Sequence, residues 1–477
     1  MSTTPQEARG TYPRRWHTLA TLCAGFFLLL VDGTIISVAT PTFMDAFSID
    51  AAQTLWITSA YLFAYAVPLL VTGRLGDRFG PRRLYLVGLA VFVIASALAG
   101  FAPSYEFLVV ARVLQGLGAA AMTPQSMAII ARIFAGKELP IAMGLWGTVG
   151  GIASISGPML GGLLIDTVGW EWIFLINVPI GALAFLTAWW WLPTLPQQAR
   201  KVPVAGVVVS MVAIAAIVVG IHEGPAHAWG LIGGVVPAPI LIAGGVLGLL
   251  WYLRHQSGPE DEVLVPLALF RTRPFTLSAV IVTTTAFAVT ATLIPVMLYL
   301  QSDLGMAPGP SSYVLIPMGL LAAASAPLAG ALVNRVGAGR VAIGGTAVLA
   351  ASVCGVTVAI AAGADAITIA LVMALYGLGN SFVWSPLSVI AMVSVPSHLT
   401  GSASGVFNTQ RQLGALLGAA VTAAVFAIES VNLMWSMLPI AVVALTGAAL
   451  APWLARAVTR HASEESGLPL EQSHHPA

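Results

Sequence analysis

Three charged residues stand where charge is costly. Asp32, Arg112 and Arg411 each fall well inside a long apolar stretch of the chain. An ionised side chain at the centre of a bilayer costs at least about 2.5 kcal/mol, so each is expected to face a cavity or a partner. Desolvation makes a carboxyl keep its proton and an adjacent guanidinium makes it release it, so a carboxylate under both influences can exchange protons near neutral pH. Asp32 is therefore the leading candidate for proton coupling or for binding a cationic substrate, with Arg112 and Gln115 as its polar surroundings; the alternative is a buried ion pair that only fixes packing. At 1.5 Å per residue, Asp32 lies roughly 26 Å from the flank at Arg15 and Arg112 roughly 30 Å from the flank at Arg132. Those similar heights permit pairing, but spacing alone does not give contact. Arg411 sits in the polar run Asn408-Thr409-Gln410-Arg411-Gln412, either lining a cavity or bonding backbone carbonyls. His222 and Glu223 read as a solvated helix end.

The elements that must position these charges follow from composition. Hydrophobic residues make up 58% of the 477 positions and charged residues only 8%, against roughly 25% charged in soluble domains. Runs such as Val204–Ile221 and Val341–Ala362 carry no charge and are long enough to cross a hydrocarbon layer about 30 Å thick. Apolar windows predict fourteen helical spans, the first centred near Leu28 and the last near Val443. With the N-terminus in the cytoplasm, every Lys and Arg except Arg112 and Arg411 falls in the segments on that side, as the bias of basic residues toward cytoplasmic loops requires. Both termini are therefore expected in the cytoplasm. Cys23 and Cys354 lie in apolar spans and read as packing residues, with no disulfide framework or metal site suggested. No phosphate-binding G-x-x-x-x-G-K-[ST] loop occurs, which argues against ATP-driven work, and no sizeable soluble domain argues for an enzyme.

The chain repeats itself. Gly73, Leu75, Arg78, Gly80 and Arg83, after the second span, recur at Gly330, Leu332, Arg335, Gly337 and Arg340, after the tenth. The same offset carries Gly157 and Gly161 onto Gly414 and Gly418. An all-α membrane protein of two six-helix bundles related by a parallel repeat, with two inserted helices, is the expected fold, its site near the midplane between the halves. The expected divisions are a tail at 1–16, a first bundle at 17–196, the inserted helices at 197–257, a cytoplasmic linker at 258–274, a second bundle at 275–455 and a tail at 456–477.

Four ordered motifs carry a resemblance. Gly73-Arg-Leu-Gly-Asp77-Arg78-Phe-Gly80-Pro-Arg82-Arg83 resembles the loop signature of the major facilitator superfamily, with Pro81 where a basic residue is common. Leu108–Ala120, containing Arg112, Gln115, Gly116 and Gly118, is similar to that family's fourth-span signature. Gly157-Pro158-Met-Leu-Gly161-Gly162 resembles the fifth-span signature associated with antiporters, and Val31–Pro41 the first-span motif of drug:proton antiporters. Trp170–Pro179, together with the span count, resembles the fourteen-helix branch.

Each motif also has a physical expectation. Asp77, in a Gly-bounded turn, can accept hydrogen bonds from a neighbouring helix N-terminus, while Arg78, Arg82 and Arg83 can meet acidic groups or lipid phosphates. Together these make a charge latch between the bundles. Gly157, Pro158, Gly161 and Gly162 suit a close-packed, bent helix. Phe26, Trp56, Tyr61, Tyr65, Tyr299, Tyr376 and Trp384 are candidate lining for an apolar cavity. The resemblance implies a bacterial inner-membrane antiporter that exports hydrophobic or amphipathic drugs in exchange for protons. It implies no other cofactor, no metal and no nucleic acid, with lipids and a drug-like substrate as partners and a monomer as the working unit. A proton-coupled importer or lipid flippase of the same fold, and a non-transporting sensor, are the alternatives.

Overall fold

A backbone inside lipid has no water to bond, so it must satisfy its own polar groups, and a helix does so within one segment. The computed structural model describes residues 12–36, 39–49, 51–195, 203–224, 227–255, 263, 265–306, 308–426 and 433–466, and these are mostly helical. The helices of the first part are α1 (Arg15–Ile35), α2 (Thr40–Phe47), α3 (Ala51–Ala66), α4 (Leu69–Phe79), α5 (Pro81–Gly100), α6 (Tyr105–Ile133), α7 (Glu138–Val168), α8 (Trp172–Leu175) and α9 (Asn177–Trp191). Then come α10 (Val204–Glu223), a short hairpin of β1 (Leu231–Ile232) and β2 (Val236–Pro237), and α11 (Ala238–His255). The last part holds α12 (Ala268–Arg271), α13 (Arg273–Leu298), α14 (Pro308–Tyr313), α15 (Ile316–Val336), α16 (Ala338–Ala361), α17 (Ala366–Val393), α18 (Thr400–Phe426) and α19 (Leu433–Ser466).

Among the described residues, nine helices are long and apolar enough to cross a membrane, or ten when the α3–α4 pair, bent by 45° at its break, is taken as one span. Shorter apolar helices lie at Met159–Val168, Ala205–Ile221 and Ala238–Arg254.

The helices pack in matching pairs. α1 lies against α7 and α9, α3 against α6, and α5 against α6 and α9; α13 lies against α18 and α19, α15 against α17, and α16 against α17 and α19. Between the two groups, α4 meets α18 and α7 meets α15. α10 pairs with α11 and touches α3, α4 and α18. The recurring loop glycines share a backbone state as well. Gly80, ending α4, has φ 89° and Gly337, ending α15, also has φ 89°. Side chains disfavour that conformation and glycine does not.

Several expected boundaries move. Asp77 and Arg78 belong to the last turn of α4 rather than to a loop. Arg74, expected as a loop cation, is fully buried within α4. Charges near a span end suggest solvent, yet Arg74 and Asp77 are both buried, while Arg78 is exposed. The segment 258–274 includes α12 and the start of α13, and the segment 456–477 continues α19 as far as Ser466. Asp365 caps α17, accepting the Thr368 N–H at 3.0 Å, and bonds from the Thr368 hydroxyl and amide hold its carboxyl below the usual range. Arg9, Arg200 and Lys201 lie outside the described residues, as do the His222 and Pro158 side chains.

Candidate functional site

Helix α1 brings Asp32 against α6, which supplies Arg112 and Gln115 one turn apart. Arg112 Nη1 donates to Asp32 Oδ2 at 2.5 Å and to Gln115 Oε1 at 2.8 Å. Asp32 Oδ1 accepts from Gln115 Nε2 and from Asn177 Nδ2, each at 3.0 Å. Both amides also donate to Ser96 Oγ, at 2.6 and 3.2 Å, while Arg112 Nε reaches the Ile57 carbonyl at 3.0 Å. The guanidinium lies 4.3 Å from the centre of the Tyr61 ring. Asp32 and Arg112 are both 0% exposed. Removing two charges from water is costly, and only a close pair with further hydrogen bonds offsets it. Asn177 adds to that set and Ser96 holds both amides, while Arg112 Nη2 is buried with no hydrogen-bond partner among the described residues. Asn177 lies within the Trp170–Pro179 motif, which assigns it no role, and nothing in the sequence marks Ser96.

A cavity of about 290 Å³ lies between the two groups of helices. Phe26, Leu30, Tyr65 and Trp146 form one wall, and Asn380, Trp384, Asn408, Arg411 and Gln412 the other. Phe26 stacks on Trp146 with centroids 4.2 Å apart. The Arg411 guanidinium sits 5.8 Å from the Phe26 ring and 5.9 Å from that of Trp384, and its Nη2 donates to Tyr65 Oη at 3.5 Å. Of the two roles open to Arg411, the structure places it in the cavity wall.

Asp32, Arg112 and Gln115 do not line this cavity, contrary to the expectation of one shared chamber. Helical geometry gives the reason. Phe26 and Leu30, four apart, share a face of α1, whereas Asp32 is turned about 200° from Leu30. The link is indirect: Arg112 lies on Tyr61, Tyr61 stacks with Tyr65 at 6.0 Å, and Tyr65 meets Arg411.

The candidate aromatics divide in the same way. Phe26, Tyr65 and Trp384 line the cavity, whereas Tyr61 bonds the Leu29 carbonyl at 3.1 Å, Tyr299 that of Ala364 at 2.7 Å and Tyr376 that of Ala288 at 3.4 Å. Trp56 is 40% exposed. A hydroxyl buried in an apolar bundle takes the nearest free carbonyl, which pins those rings away from the cavity.

Asp77 joins the two groups of helices. Its carboxylate accepts the backbone N–H of Gly401 at 3.1 Å and of Ser402 at 2.9 Å, the Ser402 hydroxyl at 2.9 Å and Arg132 Nη2 at 3.2 Å. An anion there meets the positive end of α18. A Cβ on Gly73 would overlap the Gly405 backbone, so the helices touch. Ser404 Oγ bonds the Pro124 carbonyl at 2.8 Å, Asn334 the Lys137 carbonyl at 2.5 Å and Ser385 the Pro140 carbonyl at 3.2 Å. Along α7 and α18 these contacts precede the cavity residues, so they close one end of it. The three arginines do not cross between the groups. Arg82 bonds the Trp189 carbonyl and, at 3.1 Å, Thr194 Oγ1; Arg78 and Arg83 are exposed.

Gly157 of α7 faces α1 so closely that a Cβ would overlap Thr34. Gly414 and Gly418 of α18 face the Thr283 and Phe287 carbonyls of α13 just as closely. Gly161 is buried. Gly162 departs from the expectation, because nothing stands within 4 Å of where its Cβ would be.

The family model described as Major Facilitator Superfamily matches residues 22–419. The chain is 35% identical over 421 residues to the tetracenomycin C resistance and export protein of Streptomyces glaucescens, covering 87% of this chain and 76% of that one. It is 33% identical over 413 residues to the multidrug resistance protein Stp of Mycobacterium tuberculosis, covering 86% and 75%. The human organic anion transporter MFSD10 superposes with a TM-score of 0.70 at 14% identity, over 92% of this chain and 100% of that one. A family match across most of the chain, on a helical fold with a polar pair sealed inside it, leaves one conclusion: this is a multi-pass membrane transporter belonging to the major facilitator superfamily.

Proposed function

We propose that the chain exports hydrophobic or amphipathic drug-like molecules in exchange for protons, by alternating access. The observation that carries this reading is the cavity between the two groups of helices, walled by Phe26, Trp146, Trp384 and Arg411 and bonded shut at one end. Apolar walls with a few placed polar groups suit a drug-sized ligand. The relatives, a tetracenomycin C resistance and export protein and a multidrug resistance protein, support the same cargo.

The finer architecture belongs to this reading. Fourteen helices cross the membrane, the α3–α4 and α8–α9 pairs each counting as one, with α10 and α11 inserted between two six-helix halves. The matching helix pairs and the shared state of Gly80 and Gly337 support the repeat. The end bearing Asp77 faces the cytoplasm of a bacterial cell, so the described state is closed on that side. Breaking the Asp77 contacts opens it there as the halves rock.

Asp32 takes the proton in this scheme. Neutralising it frees Arg112, and the Tyr61–Tyr65 stack carries the change to Arg411. One proton moving inward at about 100 mV supplies about 2.3 kcal/mol, enough for roughly a fifty-fold gradient of a neutral solute.

Everted membrane vesicles expressing the chain test this directly. An imposed proton gradient should drive uptake of a fluorescent drug analogue into the vesicles, and dissipating the gradient should stop it. Movement of the analogue only in the opposite direction, or no gradient-dependent movement across cationic, neutral and anionic probes, overturns the proposal.

A further inference from the structure

A cleft of about 920 Å³ opens between the start of α13 and the last turns of α19, apart from the cavity described above. Arg271 and Arg273 approach it from one side, and Arg456, Arg460 and His461 from the other. All four arginines are exposed. Among the described residues no acidic side chain lines the cleft, and none of the four arginines has a carboxylate within ion-pair distance. Four like charges around one hollow repel each other, and an anion placed among them removes that repulsion.

The backbone adds to the same field. α13 is 26 residues long and Thr272 makes no side-chain cap, so the positive end of the helix opens toward the cleft. The cleft also has an apolar side. Trp453, 63% exposed, stands one turn before Arg456 on the same face of α19, and Leu277 lies one turn into α13. Tryptophan at the boundary between an apolar helix and a basic run marks the headgroup level of a bilayer. α19, with 34 residues, is about 51 Å long at 1.5 Å per residue. That exceeds a hydrocarbon layer of about 30 Å, so its arginine turns extend past the apolar region. α13 and α18 run in parallel, since Gly414 faces Thr283 and Gly418 faces Phe287. The cleft therefore lies at the same end of the molecule as Asp77 and the α18 N-terminus.

We propose that this cleft holds the headgroup phosphate of an anionic phospholipid, with its acyl chains against Trp453 and Leu277. Guanidinium groups bind phosphate oxygens in pairs, and basic pockets between membrane helices take such headgroups. A free phosphate shares the head chemistry but has nothing to place on the apolar side.

Native mass spectrometry of the purified full-length chain decides between them, with phosphatidylglycerol and phosphatidylcholine of identical acyl chains as probes. Phosphatidylglycerol should be retained at least about tenfold more tightly than phosphatidylcholine. Arg456→Gln with Arg460→Gln should remove most of that preference, and the corresponding Arg→Lys pair should keep most of it. If the double Gln variant elutes as aggregate, single Arg273→Gln serves, with a partial loss expected. Equal retention of the two lipids, or an undiminished preference in the Gln variants, overturns the proposal. So does millimolar inorganic phosphate that binds without lipid and displaces phosphatidylglycerol, because that assigns the cleft to a free anion.

Discussion

The carboxylate of Asp77 accepts both the backbone N–H and the hydroxyl of Ser402, each at 2.9 Å, across 325 positions of sequence. No covalent connection lies near this joint, so the charge and the helix end it caps hold the two sides together. Hydrogen bonds to a charged group contribute about 1.5–3 kcal/mol each. Asp77→Asn should keep the yield and membrane insertion of the wild type while lowering gradient-driven export at least about tenfold, since about 1.4 kcal/mol corresponds to that factor. Asp77→Lys should abolish export, and normal efflux by that variant would remove the latch.

Asp32→Asn leaves Arg112 buried without its counter-charge, which costs about 3–5 kcal/mol. Its melting temperature should fall, and restoring neutrality with Asp32→Asn plus Arg112→Gln should recover much of the loss. Proton coupling should remain absent in both. Substrate exchange across vesicles with no proton gradient separates the two effects: it should persist in the double variant while uphill export does not. Uphill export by Asp32→Asn at wild-type rates would take this carboxyl out of the coupling step.

Arg411 gives the cavity wall a positive charge between Phe26 and Trp384. A unit charge about 5 Å from a charged ligand contributes about 3 kcal/mol at an effective dielectric of 20. Arg411→Gln should therefore shift the ratio of kcat/KM for a cationic over an anionic dye at least about tenfold toward the cation. An unchanged ratio in competition assays would place the cargo beyond the reach of this side chain.

Two glycines of the fifth-span motif and one counterpart in the repeat should separate sharply. Gly162→Ala enters open space and should be silent, whereas Gly157→Ala drives a methyl into Thr34 and should lower both stability and export. Gly414→Ala meets a backbone carbonyl, which cannot rotate aside as a hydroxyl can, and should be the most damaging of the three. Overpacking of this kind typically costs about 1–3 kcal/mol. Thermal melting ranks the variants.

Motif and spacing placed Asp77 at a helix N-terminus and put Asp32 and Arg112 at one height, because charge in an apolar span is rare enough to read directly. They did not tell which way Asp32 faces. Its span is apolar nearly all round, so no periodic stripe distinguishes the cavity face from the face toward α6. The same lack of contrast hid Tyr61 and Tyr376, whose rings have the composition of cavity lining but whose hydroxyls are held by carbonyls. Ser96 was illegible for a different reason: a serine is common in such helices, and only the two amides converging on its oxygen give it a role. Arg74 is illegible in the opposite direction: a charge near a span end suggests solvent, yet this one is fully buried.

Residues that line the cavity and residues that hold the sealed Asp32–Arg112 pair occupy opposite sides of α1, so a substitution at Phe26, Trp384 or Gln412 leaves every donor to Asp32 in place. Under the proposed function, the range of cargo can drift one side chain at a time at this wall while the buried carboxylate keeps all its hydrogen bonds.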